Sequence, residues 1–168
     1  MKNSIITYLL GFFFLITCFK SIANTYDNRD SASCLQVDGK ITNANEGEDG
    51  FCTIELMSSN RVITSAILKG GKKTFKFLLG RDVTYTIRIS KPGYLPRLVC
   101  IDTKMDQTEE ELYNFSFETK LLSERESTKL NKEYLDFPIA LIYYDNKKDC
   151  FVYDKSYTSK IKKEIVMK

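Results

Sequence analysis

The sequence predicts a mainly β protein, and three observations support this class. Short segments in which apolar and polar residues alternate recur at roughly the 8 to 12 residue spacing of β-sandwiches. Turn-forming runs separate them, such as Ser58-Ser59-Asn60, Gly70-Gly71 and Pro92-Gly93. Residues 83–89 alternate most cleanly, with every second side chain apolar, so one face of this strand is expected to face a core.

Seven strands are predicted in the region 34–121, which we interpret as one antiparallel β-sandwich domain. Pro92 fixes its own φ and lacks a donor, and Gly93 permits positive φ, so a tight turn ends the fifth strand there. The predicted strands are residues 34–41, 51–57, 61–68, 74–79, 83–89, 97–102 and 112–121.

The C-terminal part is predicted to be a β extension followed by an amphipathic helix. Residues 122–137 are charged and read as a surface connection, while residues 138–168 are expected to form a β-hairpin plus a helix packed on the sandwich. Asp154 can cap that helix. Its apolar stripe would be Tyr157, Ile161 and Ile165, spaced four residues apart.

The first 23 residues read as a signal peptide. Lys2 supplies a positive start, residues 5–19 are predominantly apolar, and Ser21-Ile22-Ala23 matches a signal-peptidase site, so cleavage is expected after Ala23. The apolar stretch is shorter than the about 20 residues that a membrane span needs. We therefore expect an exported protein, periplasmic or secreted, without a stable membrane span after processing. Two alternatives remain open: an uncleaved anchor, and a lipoprotein acylated at Cys18.

Export would leave residues 24–33 as a polar, disordered lead-in and would retain four cysteines. An oxidising compartment permits disulfides, so at least one bridge is expected. Four cysteines allow three pairings, and the sequence does not choose among them. The candidates are Cys34, Cys52, Cys100 and Cys150.

Composition excludes several classes of function. The chain has no histidine, which removes Ser-His-Asp and Cys-His catalysis and the commonest zinc ligand. Loss of Lys2 and Lys20 with the leader lowers the formal net charge from +3 to +1. Nucleic acid is therefore not an expected partner. Neither a cofactor nor a catalytic motif is predicted, although chemistry by carboxylates alone stays open.

Three segments resemble the carboxypeptidase regulatory-like domain, a transthyretin-like sandwich. They are Val37-Asp38-Gly39-Lys40-Ile41, Thr74-Phe75-Lys76-Phe77, and the run from Tyr85 to Tyr94 that ends in Pro92-Gly93-Tyr94. The match spans about residues 34–102, and extra residues between Gly71 and Phe75 depart from the family pattern. The resemblance implies a non-catalytic module of an envelope protein and transfers no active-site residue.

Several clusters are candidate sites, each with a simpler structural interpretation. The acidic loop 46–50 could offer oxygen ligands to Ca²⁺, but a solvated loop is expected instead. The same applies to the turn-forming Asp145, Asn146, Asp149 and Asp154. C-terminal aromatic residues could form a platform for a glycan or peptide, although core packing is expected. They are Tyr143, Tyr144, Phe151, Tyr153 and Tyr157.

The lysine-rich end reads as a soluble helix face rather than an anionic-membrane contact. We expect a non-enzymatic module that binds or scaffolds another macromolecule of the cell envelope, protein or glycan. The alternatives are a carbohydrate- or peptide-binding accessory to an envelope enzyme or transporter, and a hydrolase that uses carboxylates alone.

Overall fold

The computed structural model describes residues 33–44, 50–106, 111–127 and 130–166. Within these ranges the chain forms nine strands and two α-helices, and the mainly β class is confirmed. Each predicted strand of the region 34–121 is present. The strands are β1 Ser33–Ile41, β2 Cys52–Ser58, β3 Arg61–Leu68, β4 Thr74–Gly80, β5 Thr84–Ser90, β6 Arg97–Asp102, β7 Tyr113–Thr119, β8 Ala140–Asp145 and β9 Cys150–Tyr153.

The strands form two sheets of unequal size. The smaller sheet has the order β4-β1-β7, and the larger has the order β3-β2-β5-β6-β8-β9. Short hairpins join β2 to β3, β5 to β6 and β8 to β9 as antiparallel neighbours. The connections from β1 to β4 and from β6 to β8 are longer, and they let the chain change sheets or return in the same direction.

The expectation of a purely antiparallel sandwich is wrong for one strand pair, and the C-terminal extension adds a second parallel pair. β1 pairs with β7 in parallel, and β6 pairs with β8 in parallel. Parallel neighbours need a crossover connection, and the long segments between these strands supply it. Local alternation predicts a strand but carries no information about which distant strand it joins.

One hydrophobic core joins the two sheets. Alternation along each strand places every second residue inside, as in β5, where Tyr85, Ile87 and Ile89 are buried. The smaller sheet contributes Val37 and Leu79 in the same way. The pattern read from the sequence therefore gives the correct inward face for these strands.

Close contacts order the smaller sheet and one hydrogen bond links it to the end of β5 in the larger sheet. Gly39 lies opposite Phe75 in the β1–β4 ladder, and a Cβ at this position would overlap the Phe75 ring. Beyond the end of β1, the buried Asn43 side chain donates to Leu121 O and accepts from Leu121 N, each at 2.9 Å. The buried Lys91 Nζ donates to Asn43 O at 2.8 Å.

The predicted C-terminal hairpin and helix are present, but the hairpin is part of the larger sheet. β8 extends this sheet beyond β6, and β9 forms its last strand. The helix α2, Lys155–Val166, packs against β8. The connection 122–137 contains a short helix, α1 Glu124–Ser127, and a 3-10 turn, Lys132–Tyr134.

Candidate functional site

A groove lies between the last strand of the smaller sheet and the C-terminal helix. The end of β7 forms one wall, α2 forms the other, and β6, β8 and β9 form the floor. The groove encloses about 910 Å³, within the range of ligand sites in proteins. We call it the β7–α2 groove. Its lining residues are Arg97, Val99, Phe117, Glu118, Thr119, Leu122, Leu130, Ile139, Ala140, Tyr153, Lys155, Thr158, Ser159, Ile161, Lys162 and Ile165.

Arg97 brings a positive charge to the floor of this groove. The alternation of β6 places Arg97 on the same face as the buried Val99 and Ile101. The Arg97 residue is only 7% exposed, and its Nε has no hydrogen-bond partner. Burial lowers the pKa of the guanidinium, but an arginine keeps its charge in proteins. A buried polar nitrogen without a partner is costly, and the positive charge of the guanidinium favours an anion at this position.

Thr158 adds a second unpartnered polar atom to the groove, from the side of α2. Asp154 begins the helix, since its Oδ1 accepts a hydrogen bond from Tyr157 N at 2.8 Å and its O accepts one from Thr158 N at 3.0 Å. The buried Ile161 and Ile165 then hold this helix face toward the groove. The Thr158 Oγ1 is buried without a hydrogen-bond partner, so its capacity for hydrogen bonding is unused in this structure.

The electrostatic balance of the lining is positive. Lys155 and Lys162 line the groove and are exposed on α2. The acidic residue of the lining, Glu118, is half exposed and already pairs with Lys40 Nζ at 3.1 Å. An anion entering the groove therefore meets two surface lysines before it reaches the buried guanidinium of Arg97.

The groove has the chemistry of an anion-binding site with an apolar body. A guanidinium does not act as a proton acceptor, because it stays protonated in proteins. Its fork of donors suits a carboxylate. Most of the remaining lining is aliphatic or aromatic, which fits an apolar group attached to that carboxylate.

Sequence reasoning missed this groove, although one signal was present. Residues 97–102 alternate as a strand, and the apolar register of Val99 and Ile101 continues back to Arg97. An arginine on the core-facing register of a strand is an exception to the pattern. The position of β7 beside α2, which forms the groove, depends on long-range packing and has no local signal.

A tyrosine and aspartate cluster lies at another end of the molecule. The Tyr113 hydroxyl donates to Asp149 Oδ1 at 2.9 Å and lies 3.2 Å from the Tyr144 hydroxyl, which also bonds to Asp149. The hydrogen bond with Tyr144 raises the pKa of Tyr113, and burial raises that of Tyr144. Both phenols are therefore protonated at neutral pH and can keep the hydrogen bonds that link the two sheets.

The aromatic residues considered as a binding platform do not form one surface. Tyr144 and Phe151 are buried and pack edge to face with ring centroids 5.4 Å apart. Tyr153 packs on Phe115 with centroids 5.0 Å apart, and the Tyr157 hydroxyl donates to Pro138 O at 2.9 Å. Tyr143 is exposed. The expectation of structural packing fits all but Tyr143.

The acidic candidates are dispersed or lie outside the described residues. Residues 46–49 of the acidic loop are outside them. Asp145 makes an ion pair with Lys148, which lowers the pKa of its carboxyl group, and Asp154 caps α2. Among the described residues, no cluster of three or more Cys, Asp or Glu side chains is arranged to hold a metal ion.

The four cysteines expected to form at least one bridge are free thiols in the structure. They lie on four different strands, β1, β2, β6 and β9. Cys34 and Cys52 are buried. Burial raises the pKa of the Cys34 thiol and raises that of Cys52 to about 11. The structure therefore lends no support to the expected disulfide.

The predicted leader, cleavage after Ala23, Cys18 and most of the lead-in 24–33 lie outside the described residues. No helix in the described part of the chain is long and apolar enough to cross a membrane. Comparison of the sequence with models of protein families and with curated proteins finds no match to either.

Proposed function

We propose that this protein is an exported, non-catalytic module that binds a segment of another macromolecule of the cell envelope, and that the β7–α2 groove is its binding site. One observation carries the proposal. In the described part of the chain, the buried side-chain nitrogen and oxygen atoms without a hydrogen-bond partner are Arg97 Nε and Thr158 Oγ1, and both residues line this groove.

Buried polar groups in folded proteins are almost always hydrogen-bonded. The two unpartnered atoms belong to residues that line one groove, and a partner that supplies the missing hydrogen bonds would explain both. Removing polar groups from water without a partner costs about 1–3 kcal/mol each. We infer that binding of a partner offsets this cost.

The shape of the site favours a protein segment over a compact small molecule. β7 is the last strand of the smaller sheet, so one side of its backbone has no strand partner among the described residues. An extended segment can pair with such an edge through main-chain hydrogen bonds while its side chains occupy adjacent pockets. The groove meets this strand at its end, where Phe117, Glu118 and Thr119 line it.

Export and the transthyretin-like resemblance belong to the same proposal. The leader pattern of residues 1–23 supports export, and the two-sheet, mainly β architecture is compatible with a carboxypeptidase regulatory-like module. Such modules are non-catalytic binding or stabilising parts of envelope proteins. The C-terminal strands and α2 would add the groove to this framework.

Site-directed photo-crosslinking tests the proposal. p-Benzoyl-phenylalanine is placed at Ser159, which is exposed and lines the groove, or at Thr64, which is exposed on β3. After irradiation with an envelope fraction of the native cells, we expect one protein partner crosslinked from Ser159, displaced by excess unmodified protein, and not from Thr64.

Equal crosslinking from Ser159 and Thr64 would contradict the assignment of the groove as the site. Retention of the protein on a glycan resin, with no protein crosslinked at either position, would favour the carbohydrate-binding alternative. Release of a product from a glycan or peptide by the purified protein would replace the binding module with an enzyme.

A further inference from the structure

The β7–α2 groove is closed near one end of β7. After Thr119 the chain leaves the smaller sheet and crosses to the turn between β5 and β6, where Leu95 N donates to Leu122 O at 2.9 Å and Tyr94 bridges to Ser123. Leu122 lines the groove. A strand laid along β7 in the direction of Thr119 would therefore meet this crossing chain.

Arg97 lies beside the closed end. It follows Leu95 by two residues, which is less than about 7 Å along an extended chain, and Leu95 is bonded to the crossing chain itself. The guanidinium of Arg97, whose Nε has no hydrogen-bond partner, thus stands close to where an added strand would have to stop. Lys155 and Lys162 lie on the opposite wall, so the negative charge at a chain end would be attracted into this part of the groove.

A free carboxyl terminus fits this geometry better than an internal segment. It ends the chain at the obstruction, and it presents two oxygens to the guanidinium fork of Arg97. An internal segment with an acidic side chain would have to leave the groove past Leu122. A fatty acid could bring the same carboxylate, but its tail would leave the edge of β7 unpaired.

We infer that the groove takes the carboxyl-terminal segment of a partner protein, added as a strand parallel to β7, with its terminal carboxylate on Arg97. The parallel direction follows because the ligand chain ends where β7 ends. This inference rests on the proposed binding function and adds to it the part of the partner that is recognised.

Selection from two display libraries tests the inference. One library presents random ten-residue segments at a free carboxyl terminus, and the other presents them internally, flanked by a fixed sequence on both sides. Enrichment of the free-terminus library is expected. Enrichment of the internal library would overturn terminal recognition and leave the proposed binding function intact, whereas enrichment of neither would contradict both.

The selected peptide is then synthesised as the free acid and as the carboxyl-terminal amide. By isothermal titration calorimetry, the acid is expected to bind the wild-type protein at least tenfold more tightly than the amide. Arg97→Met should remove this preference, so that acid and amide bind the variant equally. Arg88→Met is the matched control, since Arg88 pairs with Glu55 at 2.6 Å and does not line the groove; it should preserve the preference.

Equal binding of acid and amide to the wild-type protein would overturn the inference, as would a preference that persists in Arg97→Met. Circular dichroism of both arginine variants verifies that they are folded. Arg97→Lys provides a second measurement, because it keeps the charge without the guanidinium fork, and a partial preference is expected. Tetradecanoate is titrated in parallel: tight, Arg97-dependent binding that displaces the peptide would assign the groove to fatty acids instead.

Discussion

Replacement of Arg97 by methionine should stabilise the ligand-free protein. The Arg97 residue is 7% exposed, its Nε is unpartnered, and no carboxylate of the described residues makes an ion pair with it. The folded state therefore bears the cost of a buried and unpartnered donor, about 1–3 kcal/mol. Methionine keeps most of the aliphatic stem and removes the charge, so the free energy of unfolding should rise by about that amount.

The assay is urea unfolding of protein refolded from denaturant to remove any bound ligand, followed by circular dichroism. In a chain of this size each kcal/mol should also raise Tm by about 3 °C. Arg88→Met serves as the control: its ion pair with Glu55 is partly exposed, so its loss should change stability by no more than about 1 kcal/mol. A fall of more than about 1 kcal/mol in Arg97→Met would refute the reasoning, because it would give Arg97 a structural role.

Three further predictions concern the fold. Gly39→Ala should lower the free energy of unfolding by about 1–3 kcal/mol, because its methyl group would displace the Phe75 ring from its packed position; an unchanged urea midpoint would contradict this contact. Asn43→Ala should cost about 2–5 kcal/mol, since it leaves the buried N–H and C=O of Leu121 unpaired, and the exposed Asn114→Ala is the control; equal effects of the two would sink the prediction. In urea without reductant, iodoacetamide should modify all four thiols. In the native state at pH 8, the two buried thiols should resist modification because their pKa values are raised. A thiol that is modified in urea only after reduction would indicate a disulfide. The four thiols are Cys34, Cys52, Cys100 and Cys150, of which the first two are buried.

The sequence predicted the local structure well because that structure is encoded locally. Alternation places Tyr85, Ile87 and Ile89 on one face, and this face is buried wherever the strand packs. The same pattern cannot say that β1 joins β7 or that β6 joins β8, because pairing over such separations depends on the whole fold. The expectation of an antiparallel sandwich failed at β1 and β7 for this reason.

The candidate site was less predictable than the fold. Its buried cation was visible as Arg97 in a core-facing register, but the walls of the groove come from β7 and α2, which are more than 30 residues apart in the chain. Clusters that are obvious in the sequence, such as the C-terminal aromatic residues, turned out to be packed mainly as structural elements. Proximity along the chain was therefore a poor guide to proximity in space.

Hydrogen–deuterium exchange with the selected peptide tests most directly whether a partner adds to β7. A strand paired with β7 would protect backbone amides that now have no strand partner, and contact with the opposite wall would slow exchange in α2. We predict slower exchange in Tyr113–Thr119 and Lys155–Val166 on binding, with no change in Arg61–Leu68. Protection of Arg61–Leu68, another edge strand that is exposed and partly apolar, with none in β7, would contradict the account.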